Sequence, residues 1–192
     1  MAYFLDRIKE RLNKEGLTAG SKQSGDWLLS KIVELKVSSA TLMRDRQRMT
    51  ESTFIGSMYF YYYDPKTKET LPYYDKFPLV IPIERYTDGF LGLNLHYIHP
   101  KTRIILLDKL SQFTNNKKYD KTTRFRLSYD LLSRASKITE FEPCIKRYLY
   151  SNIQSRFLEI AADEWDIAAL LPVENFQKST KSKVWSDSRK RI

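Results

Sequence analysis

Apolar residues recur at helical spacing in the first part of the chain and at alternate positions in its middle, and this change of period predicts an organisation of helices, then strands, then helices. Leu5, Ile8 and Leu12 share one helical face ahead of Gly16, which predicts a short helix with a glycine stop. The Gly-, Ser- and Lys-rich stretch 16–25 reads as a connector, with Ser24 or Asp26 capping a second helix that carries Trp27, Leu28, Ile32 and Leu35. Residues 38–50 (SSATLMRDRQRMT) read as an exposed helix. From Phe54 to Tyr97 lie 12 of the 26 aromatics, mixed with β-branched residues and turn punctuation at Pro65, Pro72, Pro78, Pro82 and Gly89. Strands are predicted over 57–63 (SMYFYYY), 78–86 (PLVIPIERY) and 90–98 (FLGLNLHYI). Thr87, Asp88 and Gly89 separate the last two as a short loop with Gly available for positive φ, so these two strands form an antiparallel hairpin. Pro82 places its strand at an edge or a bulge.

After Pro100 the helical period returns. Leu106, Leu110 and Phe113, then Phe125, Tyr129 and Leu132, mark two helices. Pro143 suits the first position of another helix carrying Ile145, Tyr148 and Leu149. Residues 155–161 (SRFLEIA) read as a strand, 163–171 (DEWDIAALL) as a helix stopped by Pro172, and 178–192 as a basic tail. The expected fold class is α+β: N-terminal helices over 1–53, a small aromatic-rich antiparallel β-barrel or curved sheet within 54–100 (strands over about 56–98), and a mainly helical region over 101–192, with 54–192 as one compact unit.

Charge sharpens this division. The 192 residues carry 33 Lys and Arg against 23 Asp and Glu, a net charge of +10. Residues 1–55 hold ten basic and seven acidic side chains, 56–100 four and five, 101–150 twelve and five, and 151–192 seven and six, so the excess lies in 101–150 and at the C-terminal end. An aromatic content of 14% supplies a core. Cys144 is the single cysteine and makes no internal disulfide, charges interrupt the N-terminal segment every few residues, and no run approaches the roughly 20 apolar residues that span a bilayer. These features point away from secretion and from a membrane partner.

Candidate chemistry is sparse. His96 and His99 stand at a predicted strand end without a supporting ligand cluster and read as strand-end histidines. Cys144, behind Pro143, reads as a small hydrophobe. Asp64, Glu69, Asp75, Glu84 and Asp88 show no diagnostic pairing, and the six glycines form no phosphate-binding loop or nucleophile elbow. No catalytic residue, metal or cofactor is assigned, and the chain reads as a non-enzyme. Lys117, Lys118, Lys121, Arg124 and Arg126 fall within ten residues, Lys146 and Arg147 begin the next predicted helix, and Lys178, Lys181, Lys183, Arg189, Lys190 and Arg191 crowd the end, so these cations are the candidate contacts to phosphate or to an acidic protein surface. The aromatic run Tyr59 to Tyr63 reads as core rather than as a base-stacking platform, since a strand with alternating faces buries one side in any case.

The blocks GSMYFYYYDPKTKETLPYYDKFPLVIPI (56–83), GFLGLNLHYIHP (89–100), QFTNNKKYD (112–120), FEPCIKRYL (141–149) and KSKVWSDSRK (181–190) together resemble a family of small virion structural proteins of T4-like tailed bacteriophages, associated with the label DNA end protector. The resemblance runs from about residue 40 to the C-terminus. It implies a non-enzymatic virion component that binds and shields the termini of packaged DNA, with other virion proteins and DNA termini as partners, several copies in a symmetric assembly, and residence in the virion and, during assembly, the host cytoplasm. Lys and Arg on one face are compatible with that role, which needs neither metal nor base reading. Two other readings stand beside it: a tail or baseplate adaptor docking through the aromatic module and the basic tail, and a metal-dependent nuclease.

Overall fold

The computed structural model describes residues 4–18, 21–31, 34, 36–105, 107 and 139–190. Helix α1 (Phe4–Lys14) buries Leu5, Ile8 and Leu12, as the spacing predicts. It ends on Gly16 at φ 69°, where Leu17 N donates to Leu12 O and Gly16 N to Asn13 O, the paired bonds of a left-handed glycine cap. Helix α2 (Lys22–Lys31) starts earlier than expected, because its cap is Ser21, whose Oγ accepts from Ser24 N at 3.0 Å; Ser24 itself is buried inside the helix. The helix expected over 38–50 is broken into α3 (Ser39–Leu42), a 3₁₀ turn at Arg46–Arg48 and strand β1 (Met49–Thr50).

The sheet follows in β2 (Met58–Phe60), β4 (Leu79–Tyr86) and β5 (Gly89–Asn94), and is completed by β6 (Ile145–Leu149) and β7 (Phe157–Ile160), with β3 (Tyr74–Asp75) pairing apart from it with β8 (Phe176–Gln177). Its order is β1-β7-β2-β4-β5-β6, antiparallel throughout and not closed into a barrel. The β4–β5 hairpin forms as predicted. Gly89 lacks the positive φ expected of it; it is glycine because a Cβ there would run into the Tyr148 carbonyl on β6. Pro82 sits in a central strand, and the ladder accommodates its missing N–H with a bulge between Pro82 and Glu84.

The helix expected after Pro143 is instead a 3₁₀ turn (Thr139–Cys144) leading into β6. Ile145, Tyr148 and Leu149 satisfy a helical spacing, but the open edge of β5 offers five residues of backbone pairing, and that pairing wins. The basic tail is likewise structure: α5 (Lys181–Lys190) buries Val184 and Ser188. Helix α4 (Trp165–Leu170) and strand β7 lie where the pattern placed them.

Both faces of the sheet are covered. Met58, Phe60, Leu79, Ile81, Leu93, Leu158 and Ile160 join α1 and α4 in the main core. On the other face Tyr59, Tyr61, Tyr63, Val80, Phe90, Tyr148 and Phe157 form a second, aromatic core. Tyr61 meets the rings of Tyr63, Phe90, Tyr148 and Phe157 edge-on at 5.0–6.4 Å. Strands β6 and β7 are consecutive in the chain yet four places apart in the sheet, so the connection 150–156 crosses from the β6 edge to the strand beside the opposite edge. It is tied to the hairpin by Tyr150 N donating to Asp88 O, and to the continuation of β2 by Gln154 N donating to Tyr62 O. The sheet therefore curls around the tyrosines. The aromatic run is core, as expected.

Ion pairs fix the N-terminal part. Arg48 binds Asp6 of α1 at 2.6 Å, Asp45 at 3.1 Å and the buried Glu164, while Lys9 reaches Asp163 at 2.6 Å. Among the described residues no helix is long and apolar enough to cross a membrane.

The glycine contacts set a test of the curl. Gly89→Ala is expected to cost at least about 2 kcal/mol in urea unfolding, because backbone must move, and Gly16→Ala about 1 kcal/mol for its left-handed cap. Equal losses at the two sites would mean that β5 and β6 do not approach as described.

Candidate nucleic-acid interface

At the end of β5, Asn94 accepts from His96 N at 3.0 Å and so caps the 3₁₀ turn Leu95–Tyr97. The chain then turns at Pro100 into a helical stretch over 100–105, with His99 Nδ1 accepting the Lys101 N–H at 3.3 Å. One turn into that stretch lies Arg103, 0% exposed and the largest fully buried side chain among the described residues. Its guanidinium donates to Ile98 O (2.8 Å), Ala169 O (2.8 Å) and His96 O (3.2 Å) and pairs with Glu174 at 2.7 Å. Lys181 takes the other oxygen of Glu174 at 2.6 Å, and Trp185 Nε1 donates to His96 O at 2.9 Å. Burial alone would raise the Glu174 carboxyl, but His96, Arg103 and Lys181 hold it down at about 2. Burial lowers the Arg103 guanidinium from its ordinary value, with Glu174 opposing.

The two histidines face different ways. His96 is buried, its Nδ1 2.6 Å from Asp75 Oδ2, and its Nε2 has no hydrogen-bond partner among the described residues. Asp75 also accepts from Phe77 N and Asn175 N, which fixes β3 against β8. His99 lies at the surface side, its ring edge-on to Trp185 at 5.2 Å. Its pKa is lowered by burial, and further by Arg189, Arg103 and Lys101.

The cations singled out in the sequence divide sharply. Lys117, Lys118, Lys121, Arg124, Arg126 and Arg191 lie outside the described residues. Lys146 and Arg147 are strand residues and point to opposite faces: Lys146 Nζ lies 4.3 Å from the Tyr97 ring centroid, and Arg147 stacks on Tyr86 at 3.8 Å and pairs with Asp88. Lys178, at φ 65°, is caged by the carbonyls of Lys68 (2.7 Å), Glu69 (2.9 Å) and Leu71 (3.4 Å). Lys181 is spent on Glu174, and Lys183 lies 3.5 Å from Asp187. Arg189 and Lys190 are exposed and have no partner among the described residues. Lys101, counted in the sequence only within a regional total, joins them: it is exposed, its side chain unpaired, and it lies beside His99. The legible signal for it was the sequence His99, Pro100, Lys101, a turn with a proline at a helix start.

The acidic residues do not converge. Asp64 pairs with Lys68, Asp75 with His96 and Asp88 with Arg147, and among the described residues no three His, Cys, Asp or Glu side chains gather to hold a metal ion. Cys144 is a core side chain whose thiol burial pushes up to about 12.

A curled antiparallel sheet with an aromatic interior, stapled through Arg103 and Glu174 to a helix whose last turn carries cations without a partner among the described residues, defines a small α+β protein. The chain belongs to the family of the phage T4 terminal DNA protecting protein, whose model matches residues 1–189 and so includes the N-terminal helices as well as the blocks from residue 40 onward. No curated protein and no solved structure matches it.

Acid unfolding tests the buried pair. Glu174 sits below its ordinary 4.5 in the folded chain, so its contribution is fully present above that value and is lost as the pH falls toward about 2. Glu174→Gln leaves Arg103 buried without a counter-charge and is expected to cost roughly 3–5 kcal/mol at pH 7, with a flatter fall in stability between pH 4.5 and 2. An unchanged acid profile would count against the pairing.

Proposed function

We propose that the protein binds the ends of linear double-stranded DNA and shields them, without catalysing a reaction, as a component of a phage particle. The observation that carries this reading is the family match over residues 1–189. The charge supports it: Lys101, Arg189 and Lys190 are exposed and unspent, whereas Lys178 and Lys181 are consumed by the fold. The segment 101–150, with its net charge of +7, supplies Lys117, Lys118, Lys121, Arg124 and Arg126 as further phosphate contacts. A binding role rather than an enzymatic one is supported by the burial of Cys144 and of the Asp75–His96 pair.

The reading is tested by comparing linear duplex with a covalently closed circle of the same sequence in binding and exonuclease-protection assays. Linear DNA is expected to bind more tightly, with affinity falling steeply between about 50 and 200 mM salt, and replacing both Arg124 and Arg126 by Ala is expected to reduce the salt slope by about two. Equal affinity for circle and line overturns the end-binding reading.

A further inference from the structure

We propose that His99, Lys101 and Arg189 hold the terminal phosphate monoester of a DNA strand, so that the protein tells an end from the interior of a duplex by a charge that only an end carries. This rests on the reading that the protein binds DNA termini, and it names the group recognised there.

The chemical argument starts from what an end offers. Phosphates inside a strand are diesters with one charge each, and contacts to them carry no information about position along the duplex. A terminal monoester has a second ionisation near 6, carries about −1.5 to −2 at neutral pH and presents three acceptor oxygens. A site that prefers it needs two cations from different elements aimed at one point, with no carboxylate competing for them. Among the described residues, Lys101 and Arg189, from two different elements, both act on His99.

Trp185 and Arg189 are four residues apart on α5 and so share a helical face. The Trp185 ring meets His99 at 5.2 Å, which brings Arg189 to the turn that carries Lys101. The turn is held in place from beneath, since Trp185 Nε1 and Arg103 both donate to His96 O, and Arg103 lies 5.7 Å from the Trp185 ring. Among the described residues the charged neighbours that act on His99 are Arg189, Arg103 and Lys101, all positive, and its pKa is depressed by burial and then by their field. Arg103 has its own counter-charge in Glu174, whereas Lys101 and Arg189 have none among the described residues. Because His99 Nδ1 accepts the Lys101 N–H, the neutral ring carries its proton on Nε2 and adds a donor to the two cations. Lys183, on the same helix, and Arg147 each lie against a carboxylate, whereas Lys101 and Arg189 stand on two elements that meet at one histidine.

The test uses the full chain and a fluorescent duplex closed at one end by a hairpin, made with either a 5′-phosphate or a 5′-hydroxyl at its open end. The phosphorylated probe is expected to bind about tenfold more tightly, the effect of one charged hydrogen-bonding contact. Lys101→Ala and Arg189→Ala are each expected to bring the phosphorylated probe close to the level of the hydroxyl probe, Arg189→Lys to keep most of the difference, and Lys183→Ala, on the same helix, to leave it intact. Thermal melts of these surface variants are expected to match the parent, which separates lost recognition from lost folding. If both probes bind equally while linear DNA is still preferred to a closed circle, the protein reads ends by another feature and the inference fails with the end-binding reading intact. If the difference between probes persists in both alanine variants, the phosphate is held elsewhere and this site is overturned.

Discussion

The buried ion pair between Arg103 and Glu174 is the constraint on which the arrangement of the second half depends. A guanidinium with no exposure must meet all its donors and its charge internally, or the fold loses several kcal/mol. Its partners come from distant parts of the chain: the carbonyls of His96 and Ile98 behind β5, Ala169 in α4, and the Glu174 carboxylate ahead of β8. Each partner fixes one element relative to the others. Glu174 then passes the constraint on through Lys181 to α5, and His96 O does so through Trp185. A hydrophobic side chain in place of Arg103 could fill the volume, but it would not dictate where four segments meet. The pair thus specifies geometry more than it adds stability, and the geometry it specifies includes the turn at His99 and the last turn of α5.

The aromatic core does the corresponding work for the first half. An open sheet has two faces to cover, and among the described residues helices α1 and α4 pack on one of them. Tyr59, Tyr61, Phe90, Tyr148 and Phe157 solve this by filling the inside of the curl themselves. Their rings meet mainly edge-on, which suits a concave surface better than parallel stacks would. The curl requires β6 to approach β5 without a side chain at Gly89, and it requires the crossing 150–156 to be pinned at both ends. The N-terminal helix is held apart from the curl, by burial of Leu5, Ile8 and Leu12 in the main core and by the ion pairs of Arg48 with Asp6 and the buried Glu164.

How much of this was legible varies with the range of the forces involved. Helix α1, the β4–β5 hairpin, β7 and α4 are set by local pattern and caps, and the periodicity placed them. The strand at 145–149 was misread as helix because Ile145, Tyr148 and Leu149 fit both periods, and only the free edge of β5 decides between them. The terminal segment looked like a solvated tail because its cations outnumber Val184, Trp185 and Ser188, yet those three face inward or onto the His96–His99 turn. At the candidate site, Arg189 and Lys190 were legible as cations, but that Lys178 and Lys181 are structural was not, since their carbonyl and carboxylate partners lie in other segments. Arg103 was invisible for the same reason: nothing near it in sequence announces a buried counter-charge.

Net charge therefore says less about a partner than the list of cations left over after folding. Of the basic residues picked out at the C-terminal end, Lys178 closes a loop by binding three carbonyls and Lys181 completes a buried pair, so neither is available to a phosphate. Lys183 has a carboxylate within reach. A free anion approaching this end meets Arg189 and Lys190 on the helix and Lys101 on the facing turn, a smaller set than the sequence suggests but one drawn from two elements with a fixed relation. Diffuse positive charge attracts any polyanion at long range and is screened within about 10 Å at 0.1 M salt. Cations placed on two packed elements act instead at contact distance, where screening is weakest, and here Arg103, Glu174 and Trp185 are what pack the His99 turn against α5.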